Sequence, residues 1–314
     1  TVSETYIAKE TNVSVHTVRR IIDDTARFLT IKPLHDLPAH LCFDEFKSVK
    51  SSDSNMSFII CDSTTHKLVD VVRDRKSYNL KRYFHRFEPK TRLMVKTISI
   101  DMYLPYIQLI KEMFPNAKII IDPFHIVQAL NRELNRTRVR VMNKHRYKDP
   151  KLYRKLKHYW KFILKNPNEL QNYKYNRYKL FESFITSKGI VDYILENNPS
   201  LKNDYEVVHS LRECIQARDY IEFKEMIEAA TQLDLSSGLK RVLKTLITYL
   251  PYIQNTCEHP TRTNGPIEGI NNKIKVLKRN AYGFRNYYHF RNRIILITKM
   301  FSPKQKGIKQ QLVA

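Results

Sequence analysis

Residues 41–46 read Leu-Cys-Phe-Asp-Glu-Phe, and residues 97–102 read Thr-Ile-Ser-Ile-Asp-Met. Each is an apolar run of strand length carrying an aspartate, Asp44 within the first and Asp101 at the end of the second. A carboxylate in the middle of an apolar strand is costly unless it is paired or holds a cation. Acids at strand ends in an α/β sheet commonly line a site. How these two runs sit relative to each other decides both fold and chemistry.

Working outward, residues 57–61 and 67–72 are strand-like and separated by a short polar turn, so they read as a hairpin. Further strands are expected at 94–100 and 118–121, with helices at 78–87 and 103–113. A hairpin-led antiparallel half joined by helical crossovers to a parallel half makes an α/β fold, a mixed sheet with helices on its faces. If the first and fourth strands are neighbours, Asp44 and Asp101 share one metal cluster. Two close carboxylates repel without a cation, and Mg²⁺ prefers oxygen ligands.

Beyond Asp122 the pattern changes. From His125 to about Pro251 nearly everything reads as helix, with Ile126, Leu130, Leu134 and Val141 on one face and Pro150, Pro167 and Pro199 as punctuation. Gly238 lies near a later helix end, and a final helical segment starts near Gly265. In the other direction, residues 4–25 read as two short helices, with Asn12 at the turn and Ser14 capping the second. That is the pattern of a helix-turn-helix presenting His16, Thr17, Arg19 and Arg20 to DNA, or of an ordinary helical hairpin. Pro33 and Pro38 mark residues 31–39 as a linker.

The 314 residues carry 55 Lys+Arg against 31 Asp+Glu, a net charge of +24. Residues 132–165 hold 13 basic and 2 acidic side chains, and residues 261–314 hold 12 and 1. These two stretches supply nearly all of the excess. Concentrated positive charge with interleaved Tyr and Phe points to a nucleic acid through counterion release, ahead of a membrane surface. No apolar run has membrane-spanning length. The four cysteines, Cys42, Cys61, Cys214 and Cys257, lack C-x-x-C spacing and read as reduced thiols rather than a zinc knuckle. The chain has no initiator Met and reads as a fragment or a processed form.

Glu268 is the one acid among residues 261–314. It stands in Asn264-Gly-Pro-Ile-Glu268-Gly-Ile-Asn-Asn-Lys273, where Gly265 and Pro266 suit a helix start. Ile270, Ile274 and Leu277 make a buried stripe, leaving Glu268, Asn272, Lys275 and Arg279 roughly in line on the other side. A carboxylate followed by cations suits a helix that holds metal and then grips phosphates. Lys278 and Arg285 belong with those contacts. A lone acid in the first turn also complements the helix dipole, but its isolation in a basic segment favours the site.

Three blocks together resemble the DDE transposases of the ISL-three insertion-sequence family: Phe43-Asp44-Glu45-Phe46; Ser99-Ile100-Asp101-Met102 through Asp122-Pro123-Phe124-His125; and Asn264 to Lys273 running on to Ala281-Tyr282-Gly283-Phe284-Arg285-Asn286. The last block is the most specific. The resemblance implies a ribonuclease-H-like fold with the catalytic, metal-binding triad Asp44, Asp101 and Glu268, and a large helical insertion before the last catalytic helix. It also implies Mg²⁺, with Mn²⁺ substituting, at two ions about 4 Å apart serving an in-line displacement. The implied partners are double-stranded DNA, as terminal inverted repeats and target, and a second copy of the chain when DNA is bound. The implied location is the cytoplasm, on the nucleoid. The cysteine-rich zinc element usual at the family's N-terminus is not in this sequence. A non-catalytic DNA-binding derivative of a transposase is the alternative.

The expected organisation is a helix-turn-helix at 1–30, linker at 31–39, catalytic core at 40–145, helical insertion at 146–258, and basic catalytic segment at 259–314. Asp122 and His125 are possible accessory residues, as ligand or orienter, or simply an Asp-Pro turn and a helix start. Glu45 is expected on the opposite sheet face from Asp44. Asp62 and Asp70 are expected as exposed hairpin acids. Residues 173–178, rich in Tyr, read as base-stacking or as packing on a helix surface.

Overall fold

A computed structural model of the chain describes residues 2–30, 35–51 and 54–300. Residues 31–34 of the linker and 301–314 of the basic C-terminal segment lie outside the described residues. The chain opens with α1 (Glu4–Thr11) and α2 (Val15–Leu29). Asn12 takes the left-handed conformation at φ 52°, which Asn tolerates better than most residues. The Ser14 hydroxyl accepts from the Thr17 amide at 3.0 Å, supplying one of the missing caps of α2. Ala8, Val18 and Ile22 bury between the two helices.

Then follow β1 (His40–Lys47), β2 (Met56–Asp62), β3 (Leu68–Val72), α3 (Ser77–Phe84), α4 (Pro89–Leu93), β4 (Thr97–Ile100), α5 (Leu104–Met113) and β5 (Lys118–Ile121). The sheet order is β3-β2-β1-β4-β5. β1 runs antiparallel to β2 and parallel to β4, and β2 runs antiparallel to β3, so the sheet is mixed as the sequence implies. The fourth strand is shorter than the apolar run that announces it, because α4 and its C-cap at Met94 occupy the chain before it.

Strand alternation assigns the two faces of β1. Phe43 enters an aromatic cluster with Phe58, Phe84 and Phe114. Glu45, on that same face, meets Arg75 at 2.6 Å and the Tyr106 hydroxyl at 2.5 Å. Cys42 and Phe46 join a different core with residues from the end of the chain. Asp44 lies between them and shares their face. Asp70 is not an exposed hairpin acid: it is 4% exposed and accepts from the Tyr83 hydroxyl and Arg291. An acid placed on the covered face of a strand has to be paired in this way.

Helices take over from Asp122: α6 (Pro123–Lys148), α7 (Pro150–His158), α8 (Trp160–Leu164), α9 (Ser187–Glu196), α10 (Pro199–Ala217), α11 (Tyr220–Ala230) and α12 (Ser237–Glu258). Proline opens α6, α7 and α10, where its missing N–H costs nothing. Residues Ile121–Thr261 form one compact unit, and the described residues on either side of it form the other. The boundary read at 145/146 falls inside the continuous helix α6. Gly238 permits a close approach: a Cβ there would stand 1.7 Å from a carboxylate oxygen of Glu133. Residues 173–178, read as a stretch of helix, are not helical. They lie in an irregular segment held by one antiparallel bridge, Asn176 to Ile185.

The chain ends its described part with α13 (Gly265–Asn280) and α14 (Tyr287–Lys299). Ile267, Ile270, Ile274 and Leu277 are buried with Cys42, Phe46, Ile59 and Phe290, which makes the stripe read in the sequence the face that docks on the sheet. Tyr282 and Gly283 both adopt positive φ, 55° and 91°, to turn the chain between the two helices.

Candidate active site

Parallel pairing of β1 with β4 runs just short of the two aspartates. His40 pairs with Thr97, Leu41 with Ile98 and Cys42 with Ser99, an offset of 57 positions. Carried two residues further, the same offset matches Asp44 to Asp101. Both are half-buried, at the edge where β4 ends.

Residues 262–264 run along that edge. The Cys42 thiol donates to the Thr263 carbonyl and the Ser99 hydroxyl to the Arg262 carbonyl, both at 3.4 Å. Asn264, 4% exposed, donates its amide to the Phe43 carbonyl at 3.2 Å and to Asp101 Oδ1 at 3.4 Å. One helical stripe further, Asn271 Nδ2 donates to Asp44 Oδ2 at 2.8 Å. Asn264, Glu268 and Asn271 are spaced i, i+4, i+7 and so share one side of α13. Glu268 is the middle member of that stripe, exposed in the first turn. Sequence reading passed over both asparagines. Their spacing about Glu268 was the available signal.

The donor chemistry fits a hard divalent cation, since the stripe and the strand edge offer carboxylate and amide oxygens. The Oδ1 atoms of Asn264 and Asn271 are buried without a hydrogen-bond partner, a costly state that a bound ion or water relieves. Among the described residues, no group of three or more His, Cys, Asp or Glu side chains converges closely enough to hold a metal. At this edge an asparagine amide thus reaches each aspartate, Asn264 to Asp101 and Asn271 to Asp44, and Glu268 lies on the same side of the helix.

The remaining site candidates divide by exposure. Asp122 caps α6, accepting from the Phe124 amide at 3.1 Å, and His125 lies in the first turn of that helix. On α2, His16 and Arg20 are exposed. Thr17 is engaged with Ser14, and Arg19 pairs with Glu4 at 3.1 Å. On α13, Asn272, Lys275 and Arg279 are exposed, as is Arg285 beyond it. Lys278 is turned inward, donating to the Lys47 and Ser48 carbonyls at 3.1 and 3.0 Å. Burial, with the nearby Lys47 charge, pushes its ammonium below the ordinary lysine range. No helix of the described residues is long and apolar enough to cross a membrane.

A family model described as "Transposase", of the DDE type found in ISL-three elements, matches residues 41–294. A transposase for insertion sequence element IS1001 from Bordetella parapertussis is 26% identical over 90% of this chain and 67% of its own length. A protein of Lactococcus lactis subsp. lactis, named an ATP-dependent protease, is 36% identical over 41% of this chain and 40% of its own length. The chain thus spans about two fifths and two thirds of these curated relatives. No solved structure matches.

Proposed function

The chain belongs to the ISL-three family of DDE transposases, and from that premise we propose that it cleaves DNA at the ends of an insertion element and joins the freed 3′ ends to target DNA. What supports this reading best is the parallel register of β1 and β4, whose offset carried two residues further matches Asp44 to Asp101, together with Asn264 and Asn271, which reach Asp101 and Asp44 from the segment that carries Glu268. Asp44, Asp101 and Glu268 are the residues that would hold a divalent cation, Mg²⁺ or Mn²⁺. When bound, that cation activates the attacking oxygen and stabilises the leaving one.

In this reading the protein's own groups do the positioning. Asn264 and Asn271 aim the aspartate oxygens outward from the strand edge. Glu268, exposed in the first turn of α13, supplies a carboxylate that can swing toward them. Asn272, Lys275 and Arg279 continue along the helix and would follow the phosphate backbone, with Arg285 beyond the turn. His16 and Arg20 of α2 face solvent as a duplex-contacting pair. Thr17, Arg19 and Lys278 act in the fold. Asp122 and His125 remain accessory candidates. The partner is double-stranded DNA, terminal inverted repeats and target, held by a pair of chains that brings two ends together.

The test is strand cleavage and joining on labelled DNA carrying the element's ends, in Mg²⁺ and in EDTA, with Asp44→Asn and Glu268→Gln beside the parent chain. The reading requires cation-dependent release of 3′-hydroxyl ends and joined product, lost in both variants. Tight DNA binding with no cleavage in any divalent cation overturns catalysis by this chain.

A further inference from the structure

Residues 173–185 of the helical unit expose three large aromatic rings, Tyr173, Tyr175 and Phe184. Asn176 and Ile185 exchange both backbone hydrogen bonds, at 3.0 and 3.1 Å. An antiparallel bridge of this kind sends the flanking residues to the opposite face. Asn176 and Ile185 are half-buried. Tyr175 and Phe184, on the opposite face, are 65% and 67% exposed, and Tyr173, two residues along, is 80% exposed.

The frame beneath is fixed. Tyr178 meets the rings of Tyr159 and Phe162, and Phe181 meets Tyr159 and Tyr193. The Tyr159 hydroxyl donates to the Lys179 carbonyl, and the Gln171 amide donates to Ser187 at 2.8 Å. Three large rings held in water on an anchored frame have a cost that a binding partner removes.

Charge selects the partner. Lys174, Arg177 and Lys179 interleave the aromatics against one acid, Glu182. The α7–α8 stretch that carries Tyr159 exposes Lys157, Lys161 and Lys165. A second copy of so basic a surface would be repelled, and a polyanion attracted. Aromatic rings interleaved with cations suit nucleobases whose faces are open, which a paired duplex does not offer. We propose that Tyr173, Tyr175 and Phe184 form a stacking platform for unpaired bases of a DNA strand. The proposal rests on the transposase reading for its choice of DNA.

The experiment uses the full chain with oligonucleotide duplexes, either fully paired or carrying a 2-aminopurine in an unpaired tail. Binding is read by anisotropy and stacking by 2-aminopurine quenching. The parent chain is expected to bind the tailed duplex more tightly and to quench it. Tyr173→Ala with Tyr175→Ala is expected to lose quenching and roughly 5- to 150-fold of affinity per stacked base for the tailed duplex, with less than about a twofold change for the paired one. Tyr173→Phe with Tyr175→Phe should restore both, and Phe184→Ala should give a smaller loss in the same direction. Lys174→Ala with Arg177→Ala should weaken both duplexes alike and reduce the salt slope. Equal losses on both duplexes, no preference by the parent chain, or a changed oligomeric state with unchanged DNA binding would overturn the platform while leaving the transposase reading standing. A parent chain that binds neither duplex sinks both.

Discussion

Acids buried in the helical unit and acids at the sheet edge are the same chemistry under different management. Glu133, 4% exposed, pairs with Arg136 at 3.1 Å and Arg140 at 3.5 Å. Asp204, fully buried, accepts from the Thr137 hydroxyl at 2.7 Å and the Ser236 amide at 3.0 Å. Asp44 and Asp101 are only half-buried, and an asparagine amide is among the donors to each. Inside the helical unit, guanidinium groups fix one carboxylate and an enclosed hydroxyl and backbone amide fix the other, both for folding. An asparagine amide at a half-buried strand edge orients a carboxylate that solvent and a cation can still reach. In the proposed site two such carboxylates stand near each other and repel, and a divalent cation would offset that repulsion. Acids of the first kind should matter to stability, and acids of the second kind to reaction.

The largest effect that this contrast demands is at Asp101. Asp101→Asn keeps an oxygen for the Asn264 amide and removes one of the two charges. DNA joining should fall by about 10³-fold or more, while thermal stability stays within about 1 kcal/mol of the parent. Retained joining would break the comparison. Next is Asp204→Ala, which takes the carboxylate acceptor from the Thr137 hydroxyl, leaving it only the Ser236 hydroxyl at 3.1 Å, and leaves the Ser236 amide without its acceptor inside the helical unit. A loss of roughly 3 to 4 kcal/mol is expected by denaturant unfolding. A near-neutral result would mean that buried acids there are not structural.

Much of this division is legible from residues alone. Apolar runs around Asp44 and Asp101 announced β1 and β4, because a strand with both faces covered reads as continuous hydrophobics. Residues 118–121 were bounded as observed, between polar punctuation and an Asp-Pro cap. The stripe of Ile270, Ile274 and Leu277 fixed the docking face of α13. Other features were hidden for physical reasons. Asp70 looked like a hairpin acid because its partners, Tyr83 and Arg291, are remote in sequence. Helix α12 continues through Pro251, where a local rule expects a break. The segment around Tyr173, whose sequence allows base stacking or packing on a helix surface, is not helical, in keeping with Asn and Tyr being weak helix formers. The asparagines that hold the aspartates carry no charge to draw attention.

A third prediction sharpens the helical side with pH. His209 Nδ1 faces Arg212 Nη1 at 3.1 Å, and since a guanidinium only donates, Nδ1 has to accept. Nε2 then donates to the Ile163 carbonyl at 3.0 Å. Both nitrogens are satisfied in the neutral ring, and protonation would set N–H against N–H. Burial first, and the Arg212 charge with it, push the imidazole down to about 4. The unfolded chain binds this proton near pH 6.5 and the folded chain only near 4, so stability is full above 6.5 and falls as pH drops between those values. The loss should approach about 3 kcal/mol at most, measured by urea unfolding at pH 7 and pH 4.5. His209→Gln should flatten that part of the profile.

The smallest expected effect tests the amide half of the contrast. Asn271 donates to Asp44 through Nδ2 while its own Oδ1 is buried without a partner. If the residue served the fold, Asn271→Ala would lower stability, because Asp44 would lose a donor. If it serves orientation, removing an orphaned buried oxygen offsets much of that cost, and stability should change by less than about 1 kcal/mol. What should change is the response to cation: the rise in melting temperature on adding Mg²⁺ should require roughly tenfold more Mg²⁺ in Asn271→Ala. Asn271→Asp gives the complementary reading. It places a further carboxylate beside Asp44, so the chain should be destabilised in EDTA and should recover most of the loss in Mg²⁺. A parent-like Mg²⁺ response in Asn271→Ala, with parent-like joining, would show that Asp44 is oriented without this amide and that the sheet-edge acids are held no differently from the buried ones.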